Sequence, residues 1–147
     1  LDKLKAKTPD IKFDIYGVNK VQPIWADHYF KTISNAKMGL NLSRGEAIKY
    51  YSSDRITQIV GNGLVCLIDE KTKYRDFFNN SEMVFYKDEN DLSEKILKIS
   101  RDEKLRKSIA RKGKQKYMKY FNSTIVADFI IEKTLGIETK KKYFWHN

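Results

Sequence analysis

Short apolar runs that return every 20 to 26 residues constrain this chain more than any other feature. The first, "IKFDIYGV" (11–18), alternates Ile11, Phe13 and Ile15 with polar residues and stops at Gly17, the pattern of a half-buried strand. "MGLNLS" (38–43), "LVCLID" (64–69) and "MVFY" (83–86) follow. Phe13, Gly39 and Val65 stand 26 residues apart, and Phe85 comes 20 later. Such gaps are too long for hairpins and suit strands joined by crossover helices. "LVCLID" is apolar almost throughout, as a strand covered on both faces must be. The expected fold class is α/β, a Rossmann-like parallel sheet with flanking helices, its four strands supplied by these four runs.

The segments between and after the runs read as helices. "DHYFKTISNAK" carries Tyr29, Ile33 and Ala36 at helical spacing, and "LDKLKAKTPD" reads as a helix tail entering a turn at Thr8-Pro9-Asp10. A chain opening on Leu1 in mid-helix reads as part of a longer protein. Beyond the last run, Asp91 with Glu94 and Ser100 with Glu103 are expected to cap two successive helices. Asn122 or Ser123 then starts "TIVADFIIEKTLG", with Ile125, Val126, Phe129 and Ile130 on one apolar face and Gly136 as its stop. The domain is expected to span 1–136. Residues 137–147 form a basic and aromatic tail that is either a frayed end or an arm packed on the rest.

Composition narrows the partners. The chain has 147 residues and a net charge of +10, with nine Lys or Arg between Arg101 and Lys119 against only Asp102 and Glu103. Such a run can meet phosphates, an anionic bilayer or only water. Cys66 is the single cysteine and is read as a small buried hydrophobe, and no charged-then-apolar leader opens the chain, so a reducing, cytoplasmic setting is expected. "IVGNGLVCLI" is about half the length needed to cross a bilayer. No His/Cys cluster has metal-ligand spacing and no acid-x-acid motif resembles a metal-bridging pair, so no metal is expected. His28 adjoins Asp27, but neighbours on a helix point apart, so it is read as a core or surface histidine.

In a parallel α/β sheet, ligands sit beyond the carboxyl ends of the strands. Gly17 and Asn19 follow the first run, and Ser43, Arg44 and Gly45 follow the second, so their loops are expected to share one edge. Ser53 or Asp54 can cap "RITQIVGN", and Arg55 stands in its first turn, where the helix dipole disfavours a cation. A bound anion gives it a reason to be there. Two guanidinium groups and a helix N-terminus converging on a diphosphate would combine bidentate hydrogen bonds with dipole attraction. The plainer alternative pairs the two arginines with Glu46, Asp54 or solvent.

The ordered series Arg55, Gly61 or Gly63, the strand to Asp69, then "YRDFF", Tyr86, Asp88 and Leu92 resembles the C-terminal half of a GT-B glycosyltransferase, within the group-1-related glycosyltransferases. The likeness covers about residues 11–131. It implies a domain that binds a nucleotide-sugar donor as substrate, without a further cofactor, and faces an acceptor domain that would precede Leu1. Phosphate contacts then fall to Ser43, Arg44, Gly45 and Arg55, and nucleoside contacts to Gly17, Asn19, Tyr51 and Gln58. Many retaining members carry two glutamates separated by seven residues in this region; here Tyr50 and Gln58 occupy those positions, with Glu46 the nearest acid. The catalytic residue stays unassigned. The acceptor would be a glycan, a lipid or another molecule, in cell-envelope polysaccharide synthesis, at the cytoplasmic side and peripheral to the inner membrane. The competing reading is a basic α/β module that binds nucleic acid or an anionic membrane without catalysis. Two other classes fail on position: a receiver-like domain needs acids where Tyr16-Gly17-Val18-Asn19 stand, and the "GNG" of a dinucleotide turn precedes its strand instead of following one.

Overall fold

The run that is apolar on both faces becomes the central strand. In the computed structural model, which describes residues 1–18, 20–42, 45–51, 53–137 and 141–146, β2 (Val65–Asp69) lies between β1 (Met38–Asn41) and β3 (Val84–Tyr86). Both pairings are parallel, Met38 opposite Val65 and Asn41 opposite Ile68 on one side, Leu67 opposite Val84 and Asp69 opposite Tyr86 on the other. Alternation sends Val65, Leu67, Val84 and Tyr86 to one face, where they meet Leu4, Leu92, Ile96 and Ile109. Cys66, Ile68 and Phe85 go to the other face with Ile56, Val60, Tyr74 and Phe78. Helices cover both sides, as expected for this α/β class.

The helices are α1 (Asp2–Lys7), α2 (Ala26–Asn35), α3 (Asp54–Gly61), α4 (Glu89–Arg101), α5 (Glu103–Tyr120) and α6 (Ser123–Thr134). α3 packs against β1 and β2, and α4 against β3. α5 contributes to both clusters, with Ile109 and Ala110 on one face of the sheet and Tyr117 on the other. Gly113 permits this: a Cβ there would stand 2.3 Å from the Glu82 carbonyl oxygen, at the entry to β3. Among the described residues, no helix is long and apolar enough to cross a membrane.

The first expected strand does not join the sheet. Residues 11–16 keep the alternation, with Ile11, Phe13 and Ile15 half-buried and Lys12, Asp14 and Tyr16 exposed, yet they form no ladder. Ile11 and Phe13 pack beside Met38 and Leu40 against the first cluster. Period-two burial records which side of an extended segment faces the core, and that is satisfied without backbone pairing. The sheet among the described residues therefore has three strands.

Two caps also move. α4 is capped by Asp88, whose carboxylate accepts from the N–H groups of Asn90 and Asp91 at 2.8 and 2.9 Å. Asp91, the expected cap, sits inside the helix and accepts from the Lys87 N–H and from Lys95 Nζ. Burial pushes its carboxyl upward, but these hydrogen bonds and the positive charges of Lys95 and Lys87 outweigh burial and hold it below the usual carboxylate range. α5 is capped by Asp102, which accepts from the Leu105 N–H at 2.8 Å, while Ser100 turns its hydroxyl back to the Leu97 carbonyl within α4. In each case a carboxylate takes the place of a neighbouring candidate. Asn122 caps α6 as expected, and Gly136, at φ +64°, lets the Ile137 N–H reach back to Glu132 O at 2.9 Å.

α6 buries less than its sequence predicts. Ile125, Val126 and Phe129 are half-buried, whereas Ile130 and Ile131 are exposed. What Phe129 meets is the tail: Tyr143 is buried against it and donates its hydroxyl to Glu132, while Phe144 stacks on Tyr120 and Trp145 on Phe121. Of the two options for the tail, the packed arm is the one found for residues 141–146.

Candidate functional site

The carboxyl edge of the sheet is marked by Asn41, Asp69 and Tyr86, the last residues of the three strands. The loop after β1 runs from here to α3. Arg55, in the first turn of that helix, donates through Nη1 to the carbonyl of Leu42. One guanidinium nitrogen thus ties the end of β1 to the start of α3. Arg55 is exposed, and among the described residues no other acceptor takes the remaining N–H groups of its planar five-donor fork.

A second tie fixes the far part of this loop to the segment that follows β2. Tyr50 takes a left-handed backbone conformation, φ +59°, unusual for an aromatic residue. Its N–H donates to Thr72 O at 2.8 Å, its hydroxyl to Asp76 Oδ2 at 2.5 Å, and its ring lies 4.9 Å from that of Phe77. The hydrogen bond to Asp76, then burial and the Asp76 charge, raise the Tyr50 hydroxyl above the ordinary tyrosine value. Asp69 opens that segment by accepting from the Lys71 N–H. Tyr50 is therefore a tether at this edge.

The expected ligand residues fall into three groups. Ser43, Arg44 and Asn19 lie outside the described residues. Gly45 (φ +77°) and Tyr51 are exposed in the loop after β1, Arg55 and Gln58 lie on α3, and Gln58 is half-buried. Gly17 (φ +72°) belongs to a separate turn, closed by its N–H donating to Val21 O at 3.1 Å. Next to that turn Tyr16 packs edge-on against His28 of α2, so His28 is a surface residue. From α2, Tyr29 reaches the start of α3: burial and then the Asp54 carboxylate raise its hydroxyl, while Arg55 lowers it.

One residue was missed, Asn41, and Ser53, an expected cap of α3, stands at the N-cap without a side-chain cap bond. Asn41 is 4 % exposed, and among the described residues its Oδ1 has no hydrogen-bond partner; nor has the Ser53 hydroxyl at the start of α3. A polar residue inside the otherwise apolar "MGLNL" is the signal that could have pointed to Asn41. Among the described residues α3 accordingly begins without a side-chain cap; the Ile56 N–H donates to the Ser53 carbonyl at 3.1 Å, which leaves the N–H groups of Asp54 and Arg55 at the helix start. Among the described residues, no group of three or more His, Cys, Asp or Glu could hold a metal ion.

This edge combines an uncapped helix start, an arginine and a glycine-containing loop, a set suited to an anion. A family model described as glycosyl transferase-like matches residues 1–132. The chain belongs to that family. Its parallel α/β sheet is the Rossmann-like fold of a group-1-related glycosyltransferase domain. No curated protein and no solved structure matches it.

Proposed function

We propose that this glycosyltransferase domain is the donor-binding half of a GT-B enzyme and holds a nucleotide-sugar across the carboxyl edge of its sheet. The reading is carried by one observation, Arg55 bound to the end of β1 in the first turn of an uncapped helix. Ser43, Arg44, Gly45 and Arg55 would take the diphosphate, and Gly17, Asn19, Tyr51 and Gln58 the nucleoside. Gln58, where a retaining enzyme would carry a glutamate, would offer its amide to the ribose hydroxyls.

The reaction is displacement at the anomeric carbon: the bond to the donor phosphate breaks, and an acceptor hydroxyl forms the new one. Negative charge grows on the departing diphosphate, so fixed guanidinium and N–H groups aimed at its oxygens lower the barrier. An acceptor-binding domain would complete the cleft. Isothermal titration of the 147-residue chain with nucleoside diphosphates of different bases tests the reading. Saturable binding of at least one, without sugar transfer, is expected; a well-folded sample that binds none would overturn it.

A further inference from the structure

α5 carries its charge on the side it does not bury. Ile109, Ala110 and Gly113 face inward, and Arg106 is buried with its guanidinium donating to the carbonyls of Ile99 and Ser100. Lys107 pairs with Glu103 at 2.7 Å and Lys116 with Glu82 at 2.9 Å. Lys104, Arg111, Lys112, Lys114 and Lys119 remain, all exposed and outside every ion pair of the described residues. The acids of α5's own stretch are both at its start, where Asp102 caps the helix and Glu103 holds Lys107.

Such a stripe repels itself, since like charges three or four positions apart destabilise a helix. An external anionic surface would reverse that cost. Nucleic acid fits the face poorly, because the aromatic side chains of α5 are engaged elsewhere: Tyr117 stacks on Phe121 and shares a hydrogen bond with Thr57, and Tyr120 stacks on Phe144. None is left to stack on bases. Met118, 46 % exposed, instead sets an apolar side chain among the cations, seven positions beyond Arg111 and four beyond Lys114. Cations around an exposed apolar residue are the makeup of a lipid-surface helix.

We propose that the outer face of α5 docks on an anionic lipid bilayer, with Lys104, Arg111, Lys112, Lys114 and Lys119 among the headgroups and Met118 at the level of the upper acyl chains. Placement in the fold is compatible with donor binding. Gly113 abuts Glu82, and Lys114 lies 3.6 Å from the point where a Cβ on Gly63 would be. Both partners precede strands, so this part of α5 lies at the amino edge of the sheet, and the carboxyl edge stays open when the face is occupied.

Co-sedimentation of the 147-residue chain with phosphatidylcholine vesicles carrying increasing phosphatidylglycerol tests the proposal. Binding should rise with the anionic fraction and fall with salt, as exposed charges are screened over about 10 Å at 0.1 M. Each headgroup cation removed should cost about fivefold in partitioning, so Lys104→Gln, Arg111→Gln and Lys112→Gln together should cost on the order of a hundredfold. Neutralising Lys3, Lys5 and Lys12, at the other end of the chain, is the control and should cost far less. Circular dichroism of each variant confirms that it folds. The proposal is overturned if anionic vesicles do not bind, if the α5 variant binds them like the parent, or if single-stranded RNA binds the same face more tightly than vesicles at equal salt.

Discussion

Arg55 has two demands on one side chain, the Leu42 carbonyl that it holds and the diphosphate assigned to it. The two are separable by what each substitution weakens. Arg55→Ala and Arg44→Ala should each reduce diphosphate affinity by about 1.5–3 kcal/mol, the range of a hydrogen bond to a charged group, while leaving nucleoside affinity nearly intact. If Arg55 served only to hold the loop, nucleoside and diphosphate would weaken together, a result that titration of both ligands would expose. Gln58→Ala should weaken both by a similar factor, because its amide is assigned to the ribose they share. A different residue, Cys66, makes the fold sensitive to alkali. Burial pushes its thiol up to about 12 from 9.0 and, with the Asp69 and Cys66 charges adding, the Tyr86 hydroxyl up to about 12 from 10.0. The native state then keeps protons that the unfolded chain releases, so stability is full below pH 9.0 and falls as pH rises from there toward about 12. The limiting slope is about 1.4 kcal/mol per pH unit for each group. Urea unfolding at a series of pH values should show the Cys66→Ala protein free of the decline between the thiol and tyrosine onsets, whereas the parent already loses stability there.

At the scale of elements, most of what the periodicity promised is present, and the exceptions share a physical cause. The central strand was legible because a run with no polar side leaves no face for water, and both faces of β2 are indeed covered. Residues 11–16 were legible as alternating but not as unpaired, because alternation reports side-chain burial and carries nothing about backbone partners. The displaced caps arise from competition among adjacent acceptors: Asp88, Asp91, Ser100 and Asp102 are all competent, and the start of each helix is settled by where the preceding strand or helix ends. Asp88→Ala should therefore cost about 1 kcal/mol in thermal or chemical unfolding, with Ser100→Ala costing less. The tether at Tyr50 was not legible at all, since its partners Thr72 and Asp76 are brought near only by the path of the chain after β2. Arg55, by contrast, was marked by a conflict visible in the sequence, a cation where the helix dipole disfavours one.

Across the whole molecule, α5 and the tail decide how the two faces of the sheet are held as one body. α5 reaches both core clusters, and the tail closes over its end through Phe144 on Tyr120 and Trp145 on Phe121. Phe77 links this aromatic group to the carboxyl edge, lying 6.3 Å from Phe144, 5.9 Å from Phe121 and 4.9 Å from Tyr50. Removing the tail thus tests whether the edge depends on it. Tyr50 has its own bonds to Thr72 and Asp76, and Phe77 keeps Tyr74 and Phe121 as neighbours, so the loop after β1 should hold its shape without the arm. Ending the chain after Lys140 removes the buried Tyr143 and uncovers the half-buried Phe129, a loss comparable to truncating one large buried side chain. We expect about 2–4 kcal/mol less stability, at the lower end of full aromatic-to-alanine truncation, with nucleoside diphosphate affinity of the folded fraction unchanged within a factor of about two. Loss of affinity in step with stability would show instead that the aromatic bridge through Phe77 shapes the donor edge, and Phe77→Leu in the full-length chain should then reproduce it.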